Sequence, residues 1–143
     1  MYILDTNAII YYMENDATVA PLVQSILDDP TIPVYVSTIT EAELFSHTNM
    51  SEEEAKTIDA ILQSASLVPP VSSIAREAGR LRGTYGMKLG DSLIAATALY
   101  TGSTLLTRNV RDFRKSRIFP CERFNPVAEA AMSDVALAHP GCK

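Results

Sequence analysis

The sequence predicts a three-layer α/β/α domain built around a central, mainly parallel β-sheet of four or five strands. Short apolar runs typical of buried strands alternate along the chain with segments whose apolar residues recur at helical spacing. Strands that alternate with helices form parallel β-α-β units, with helices covering the sheet. The 143 residues suffice for one domain with a single core, and 47% hydrophobic with 20% charged residues is typical of a globular protein.

The first half of the chain carries clear helix-start signals between its strand-like runs. Asp5-Thr6-Asn7 follows an apolar run and can cap a helix, and Ser51 with Glu54 matches a capping box. We predict, in order, a strand at 2–5, helices at 8–14 and 19–27, a strand at 33–37, a helix from Ser37 or Thr38 to about 47, and a helix from 51 to about 64.

The second half continues the alternation and then loses it. Gly102 is the expected stop of an alanine-rich helix. We predict a short strand at 67–70, a helix at 72–85, a loop at 87–90, a helix at 91–100, a strand at 103–106 and a further candidate strand at 118–119. One domain is predicted over residues 1–126, followed by an alanine-rich tail, 127–143, that is a short helix or disordered.

Composition indicates a cytoplasmic protein. No run approaches the ~18 apolar residues of a membrane span, and the N-terminus lacks the signature of a signal peptide. We therefore expect no membrane association. Two cysteines, Cys121 and Cys142, do not make a disulfide framework.

Charge is distributed unevenly along the chain. Residues 1–75 hold one basic residue against eleven acidic ones, a net of −10, whereas residues 76–143 hold eleven basic against six acidic, a net of +5. The overall charge of −5 argues against a nucleic-acid partner, but the basic half changes that conclusion. Solvated helix faces are the alternative explanation of the basic half.

Four acidic residues lie far apart in the sequence, each at the end of a predicted strand or on a short helix. They are Asp5, Glu43, Asp91 and Asp112. Gathering them costs about 3 kcal/mol for each like-charged pair at ~5 Å and an effective dielectric of ~20. A hard divalent cation, which takes oxygen ligands, offsets that repulsion. We therefore interpret the chain as a metal-dependent nuclease with its site at the carboxyl ends of the strands.

Each acid taken alone has a simpler explanation. Asp5 and Asp91 stand where helix caps are common, and Glu43 suits a solvated helix face. A dehalogenase-like phosphatase also has an Asp after its first strand, but usually needs a second Asp where this chain has Asn7. The combination, and not any single residue, carries the prediction.

Four motifs occur in order along the chain, at residues 4–7, 37–44, 90–98 and 106–113. They read Leu-Asp-Thr-Asn, Ser-Thr-Ile-Thr-Glu-Ala-Glu-Leu, Gly-Asp-Ser-Leu-Ile-Ala-Ala-Thr-Ala, and Leu-Thr-Arg-Asn followed by Asp112-Phe113. Together they resemble the PIN-domain ribonucleases, and within that family the VapC toxins of prokaryotic type II toxin–antitoxin modules. The resemblance runs from residue 2 to about residue 126.

The resemblance implies that Asp5, Glu43 and Asp91 bind the metal. At the fourth position many relatives have an acid where this chain has Asn109, and others depend on the acid before the phenylalanine, here Asp112. Both remain candidates, and Asp112 is the ionisable one. Residues expected to orient ligands and waters are Thr6, Asn7, Thr107 and Asn109.

The implied cofactor is Mg²⁺ or Mn²⁺, with one or two ions per site. Such ions activate water and stabilise charge during phosphodiester hydrolysis, and Mg²⁺ needs few protein ligands. No His or Cys falls in the motifs, which disfavours zinc. The resemblance implies hydrolysis that leaves a 5′-phosphate and a 3′-hydroxyl.

Partners follow from the basic half and from the resemblance. RNA contact is expected at Lys88, Arg108, Arg111 and Arg114. The resemblance further implies a homodimer inhibited by a cognate VapB-like antitoxin. Two alternatives remain open, namely a PIN-like module that binds RNA or protein without cutting, and a metal-dependent DNA nuclease or phosphatase on a related fold.

Overall fold

Five strands form one sheet in the computed structural model, which describes residues 1–109, Phe113 and the backbone of residues 136–138. They are β1 (Tyr2–Leu4), β2 (Val34–Ser37), β3 (Ser66–Val68), β4 (Thr104–Thr107) and β5 (Ala136–Ala138). Their order across the sheet is β3-β2-β1-β4-β5. The first four are parallel and β5 runs antiparallel to β4. The mainly parallel sheet predicted from the sequence is confirmed.

Six helices connect these strands within residues 1–109. They are α1 (Thr6–Met13), α2 (Val19–Asp28), α3 (Thr38–Leu44), α4 (Glu52–Gln63), α5 (Ser72–Tyr85) and α6 (Leu89–Thr101). None of these helices is long and apolar enough to cross a lipid bilayer.

The sheet reverses its direction of growth at β1. The chain proceeds from β1 to β2 and β3 on one side and then returns to add β4 on the other side. Leu4 at the end of β1 is therefore level with both Val36 and Leu106. Ligand sites in open parallel sheets form at the carboxyl ends of strands beside such a reversal. The residues that follow β1 and β4 are therefore expected to form the functional site.

The core consists of two apolar layers, one on each face of the sheet. Neighbouring residues of a strand point to opposite faces, so Leu4 and Leu106 face one layer while Ile3 and Leu105 face the other. The first layer is completed by apolar residues of α1 to α4, and the second by residues of α5 and α6 together with Phe113. This arrangement is the predicted three-layer architecture.

Local signals start and stop several helices as the sequence predicts. Ser51 and Glu54 form the reciprocal hydrogen bonds of a capping box at the start of α4. Gly102 ends α6 with a left-handed backbone, φ 65°. Ser37 is the last residue of β2 and also caps α3, accepting a hydrogen bond from the Ile39 N–H at 3.2 Å.

The start of α6 differs from the prediction. The sequence predicted a loop at 87–90 and a helix from Asp91, whereas the helix begins at Leu89 with Lys88 as its N-cap. Lys88 makes no side-chain capping hydrogen bond, so the local signal for this start is weak. Asp91 consequently lies within the first turn of α6 and is not its cap.

The tail contains a strand that the sequence did not predict. Residues 127–143 were predicted to be a short helix or disordered, but Ala136–Ala138 pairs with β4 as β5. Alanine favours strands weakly, so the sequence carried little signal for an edge strand there. The strand predicted at 118–119 and the domain boundary predicted at 126 lie outside the described residues.

Candidate active site

Asp5 follows the last residue of β1 and is almost completely buried, with 4% of its surface exposed. One carboxylate oxygen, Oδ1, accepts a hydrogen bond from the Ala8 N–H at 2.7 Å and so caps α1. The other, Oδ2, accepts a hydrogen bond from the Thr107 hydroxyl at the end of β4. The side chain is thus fixed between the two strand ends that meet where the sheet reverses.

The pKa of Asp5 is raised from its ordinary value of 3.8 to about 6. Burial is the largest cause, because it removes water from the charged form. The hydrogen bonds from Thr107 and Ala8 lower the pKa, whereas the charges of Asp91 and Glu43 raise it. Of the carboxylates predicted to bind metal, Glu43 and Asp91 therefore each lie near enough to Asp5 to affect its charge.

Glu43 reaches the site from the last turn of α3, which follows β2. Its Oε2 accepts a hydrogen bond from the hydroxyl of Thr6, the first residue of α1. Its Oε1 lies against Gly90 on α6, where a Cβ would stand only 2.5 Å away. Glycine at position 90 therefore lets α6 approach the Glu43 carboxylate closely, and this requirement was not recognised from the sequence.

Asp91, the residue after Gly90, occupies the first turn of α6 and is partly buried. Its negative charge is favourable there, because the N-terminal end of a helix carries a partial positive charge. Its effect on the pKa of Asp5 places it beside the first carboxylate. Lys88 is exposed immediately before this helix.

The fourth predicted position is described only in part. The Asn109 N–H donates a hydrogen bond to the Thr107 Oγ at 2.9 Å, so the turn after β4 folds back on the threonine that contacts Asp5. Asn7 is exposed at the start of α1. The remaining predicted site residues, Arg111, Asp112 and Arg114, lie outside the described residues, and their roles stay predictions.

The contacts of Arg108 include an ion pair and a ring contact that the sequence did not reveal. Its guanidinium Nη1 lies 2.7 Å from the Asp16 Oδ2, and its Cζ lies 4.2 Å from the centre of the Tyr11 ring. Sequence spacing gave no signal for this contact, since Asp16 and Arg108 are 92 residues apart.

The residues at the site suit a hard divalent cation by their chemistry. Asp5, Glu43 and Asp91 offer carboxylate oxygens, and Mg²⁺ binds through one or two carboxylates while keeping several waters. Burial raises the pKa of Asp5, and the charges of Asp91 and Glu43 raise it further, so a cation bound there would stabilise the ionised form. Within the described residues, however, no three His, Cys, Asp or Glu side chains already form a group able to hold a metal. Water or substrate oxygens would have to complete the coordination.

The fold is that of a PIN domain. The family model for the PIN domain matches residues 2–117, and the chain belongs to that family.

Similar proteins of known identity include a VapC ribonuclease and toxin-antitoxin complexes. The chain is 32% identical over 125 residues to Ribonuclease VapC1 of Haemophilus influenzae (strain R2866), which covers 80% of this chain and 91% of that protein. A toxin-antitoxin complex from Klebsiella pneumoniae superposes with a TM-score of 0.68 at 27% identity, covering 79% of this chain and 90% of its own. VapBC-1 from nontypeable Haemophilus influenzae superposes with a TM-score of 0.63 at 30% identity. The match covers 80% of this chain and 90% of that chain.

Proposed function

We propose that this chain is a Mg²⁺- or Mn²⁺-dependent endoribonuclease and the toxin of a VapBC-like toxin–antitoxin module. The observation that carries the proposal is the position of Asp5, which is buried at the carboxyl end of the sheet, is held by the Thr107 hydroxyl and the Ala8 N–H, and lies close enough to Asp91 and Glu43 for their charges to act on it. Membership of the PIN family and the likeness to Ribonuclease VapC1 support the same conclusion.

Asp5, Glu43 and Asp91 would hold the ion, with Asn109 or Asp112 as the fourth residue. When bound there, the ion would supply an activated water and stabilise charge on the phosphate and the leaving oxygen. The protein orients its carboxylates beforehand. The Ala8 N–H and the Thr107 hydroxyl donate to the two oxygens of Asp5, and the Thr6 hydroxyl donates to one oxygen of Glu43.

The reaction is hydrolysis of one P–O bond in the RNA backbone. Water oxygen joins the phosphorus, the 3′ oxygen leaves and takes up a proton, and the products are a 5′-phosphate and a 3′-hydroxyl. Phosphate contact falls to the basic half of the chain, where exposed Lys88 lies three residues before Asp91. Arg111 and Arg114 are proposed for the same role from their positions in the sequence.

Cleavage assays with labelled RNA and single-stranded DNA test the proposal directly. We expect RNA to be cut with Mg²⁺ or Mn²⁺, and cutting to stop with EDTA and in Asp5→Asn and Asp91→Asn. Asp29→Asn is the matched control, because Asp29 also accepts a backbone hydrogen bond, from Thr31 at 2.9 Å, but lies in the turn after α2. Undiminished cleavage by Asp91→Asn would overturn the assigned site.

The partner proposed for this chain is a VapB-like antitoxin. The complexes that superpose on this chain include a toxin-antitoxin complex and VapBC-1, which supports such a partner. A groove of about 720 Å³ between α1, α3 and α4 offers a place for it. Apolar Ile10, Met13 and Ile58 line the groove together with acidic Glu14 and Glu53, which suits an amphipathic segment with basic side chains.

The groove is tested by reversing its charge. The partner for this test is a small DNA-binding protein encoded by a gene adjacent to this one. Glu14→Lys combined with Glu53→Lys should weaken the complex with that protein, measured by co-purification. The same double variant should reduce the ability of the partner to restore the growth of cells that express this chain. Glu52→Lys, one residue away and outside the groove lining, is the matched control. Equal weakening by the control would mean that general charge, and not this groove, governs the contact.

We also propose a homodimer that acts in the cytoplasm. Leu89 and Tyr100, 54% and 61% exposed, stand eleven residues apart on α6, which places them on one face of that helix. Such exposed apolar residues suit an interface. Light scattering that gives a monomer for the wild type would contradict the dimer.

A second candidate function, an RNA-binding module without cleavage, is favoured only by Asn109 in place of an acid.

A further inference from the structure

Arg108 lies at the point where the Asp5 site meets the turn between α1 and α2. Its side chain is only 21% exposed, because the guanidinium is held by the Asp16 carboxylate at 2.7 Å and lies over the ring of Tyr11. Ion pairing uses the edge of a guanidinium and ring stacking uses its face. We name these three residues, Tyr11, Asp16 and Arg108, the clamp.

Asp16 is itself fixed in place. Its Oδ1 accepts hydrogen bonds from the N–H groups of Thr18 and Val19, both at 3.0 Å, and its own N–H donates to the Tyr11 carbonyl at 3.0 Å. These backbone hydrogen bonds hold the pKa of Asp16 below its ordinary value, so the carboxylate that receives Arg108 stays charged. The clamp therefore ties Arg108 to a rigid part of the α1–α2 turn.

The residues on both sides of Arg108 contact the site. Thr107, immediately before it, donates a hydrogen bond to the Asp5 Oδ2. Asn109, immediately after it, donates its N–H to the same threonine Oγ at 2.9 Å. Anchoring Arg108 thus restrains the hydroxyl that orients Asp5 and the backbone that leads to the fourth predicted position.

We propose that Arg108 is a positioning residue: the clamp holds the turn 107–109 so that Thr107 keeps Asp5 oriented for cleavage. The proposal rests on the proposed ribonuclease function and assigns Arg108 a different role from the RNA contact that the sequence predicted. It makes a distinct kinetic prediction, because a loss of orientation lowers kcat whereas a lost phosphate contact weakens RNA binding.

The test uses variants that remove one contact each. Asp16→Asn keeps the oxygen that accepts from Thr18 and Val19 but removes the charge, and Tyr11→Leu keeps apolar bulk but removes the aromatic face. Arg108→Ala removes the whole contact, and Arg108→Lys keeps the charge. Asp29→Asn is again the matched control.

We expect Asp16→Asn and Arg108→Ala to lower kcat at saturating RNA by roughly tenfold to a hundredfold. The Kd for RNA, measured without divalent ions, should stay within about twofold. Combining the two should cost no more than Arg108→Ala alone, since they remove one interaction. Tyr11→Leu should lower kcat less, and Arg108→Lys should recover part of the loss.

Two results would overturn the proposal. The first is an Arg108→Ala protein with normal kcat and weakened RNA binding, together with an Asp16→Asn protein that binds RNA as tightly as the wild type, because this pattern describes a phosphate contact. The second comes from amide hydrogen exchange at Asn109, measured by NMR without RNA or metal. Faster exchange in Asp16→Asn and Arg108→Ala, but not in Asp29→Asn, supports the clamp, and unchanged exchange refutes it. This measurement decides the clamp even if the wild type cuts no RNA, in which case the proposed function alone fails.

Discussion

Asp5 combines a structural and a chemical role in one side chain. Its Oδ1 caps α1, and its Oδ2 is held by Thr107 across the sheet reversal. Burial beside Glu43 and Asp91 raises its pKa, so the charged form is unfavourable in the metal-free fold. Protonation removes this cost below about pH 6, and a bound cation would offset it at higher pH.

The stability of the metal-free protein should therefore fall as the pH rises from 3.8, the ordinary pKa of Asp5, to about 6, its pKa in the folded protein. The folded state keeps a proton on Asp5 up to about pH 6, whereas the unfolded chain releases it near 3.8. The free energy of unfolding thus decreases between these values and stays reduced above them, by on the order of 3 kcal/mol for this group. Asp5→Asn removes this dependence and should be more stable than the wild type at pH 8 by about 1 to 3 kcal/mol, measured by denaturation in EDTA.

At pH 4 the advantage of Asp5→Asn should disappear, because Asp5 is then protonated in the folded wild type. Asn retains an oxygen that can accept from the Ala8 N–H, so the cap of α1 survives the substitution. A clear loss of stability at pH 8 would contradict this account and make Asp5 chiefly a helix cap.

Gly90 is required for the position of Glu43 more than for the stability of the fold. A Cβ at Gly90 would stand 2.5 Å from the Glu43 Oε1, but that oxygen ends a flexible side chain that can move away. Gly90→Ala should therefore leave the free energy of unfolding unchanged or raise it by up to about 1 kcal/mol, since alanine favours a helix. Displacing Glu43 from Thr6 should nevertheless lower the cleavage rate by roughly tenfold or more.

Gly83→Ala is the matched control for this prediction. Gly83 also lies in a helix, α5, and a Cβ there meets nothing within 4 Å. It should give the same gain in stability with normal cleavage. Equal cleavage activity in Gly90→Ala and Gly83→Ala would mean that cleavage does not depend on glycine at position 90.

At the scale of the elements, helix ends follow local chemistry wherever a single residue type is needed. Gly86 and Gly102 end α5 and α6 with φ of 68° and 65°, a backbone conformation that costs other residues energy. Ser51 supplies the capping box of α4. These signals are readable in sequence because they depend on neighbouring residues alone.

Gly102→Ala should destabilise the protein by about 1 kcal/mol, because alanine carries a Cβ into the left-handed conformation. The cost is strain and not a clash, since the nearest atom to that Cβ would be the Met1 Cε at 4.0 Å. Gly102→Asn should cost less, because asparagine tolerates this conformation better. Chemical denaturation measures both, and equal costs for the two would contradict the backbone explanation.

The start of α6 and the strand β5 show where local chemistry does not decide. Lys88 makes no side-chain capping bond, yet α6 begins after it, with Gly90 packed against Glu43 of α3. Ala136–Ala138 becomes a strand by pairing with β4. In both cases a contact with a distant segment accompanies a local structure that the nearby residues do not favour.

At the scale of the whole molecule, the separation of charge predicts salt-sensitive RNA binding. The net of +5 in residues 76–143 must attract the phosphates against the net of −10 in residues 1–75. We expect RNA affinity, measured without divalent ions, to fall by about tenfold or more between 50 and 200 mM salt. An unchanged affinity would contradict electrostatic attraction to the basic half.

The sequence by itself determined the alternation of strands and helices, and hence the three-layer fold. It also determined the candidate carboxylates Asp5, Glu43 and Asp91, because motifs of characteristic residues mark their places. Hydrophobic periodicity and caps act over a few residues, so they are visible in the chain.

Only the tertiary structure decided how these parts meet. The effect of Asp91 and Glu43 on Asp5, the hydrogen bond from Thr107 to Asp5 and the pairing of Arg108 with Asp16 all join segments distant in sequence. The order β3-β2-β1-β4-β5 brings the ends of β1 and β4 together. Such contacts depend on the packing of the two core layers, and a side chain's own neighbours in the chain carry no record of that packing.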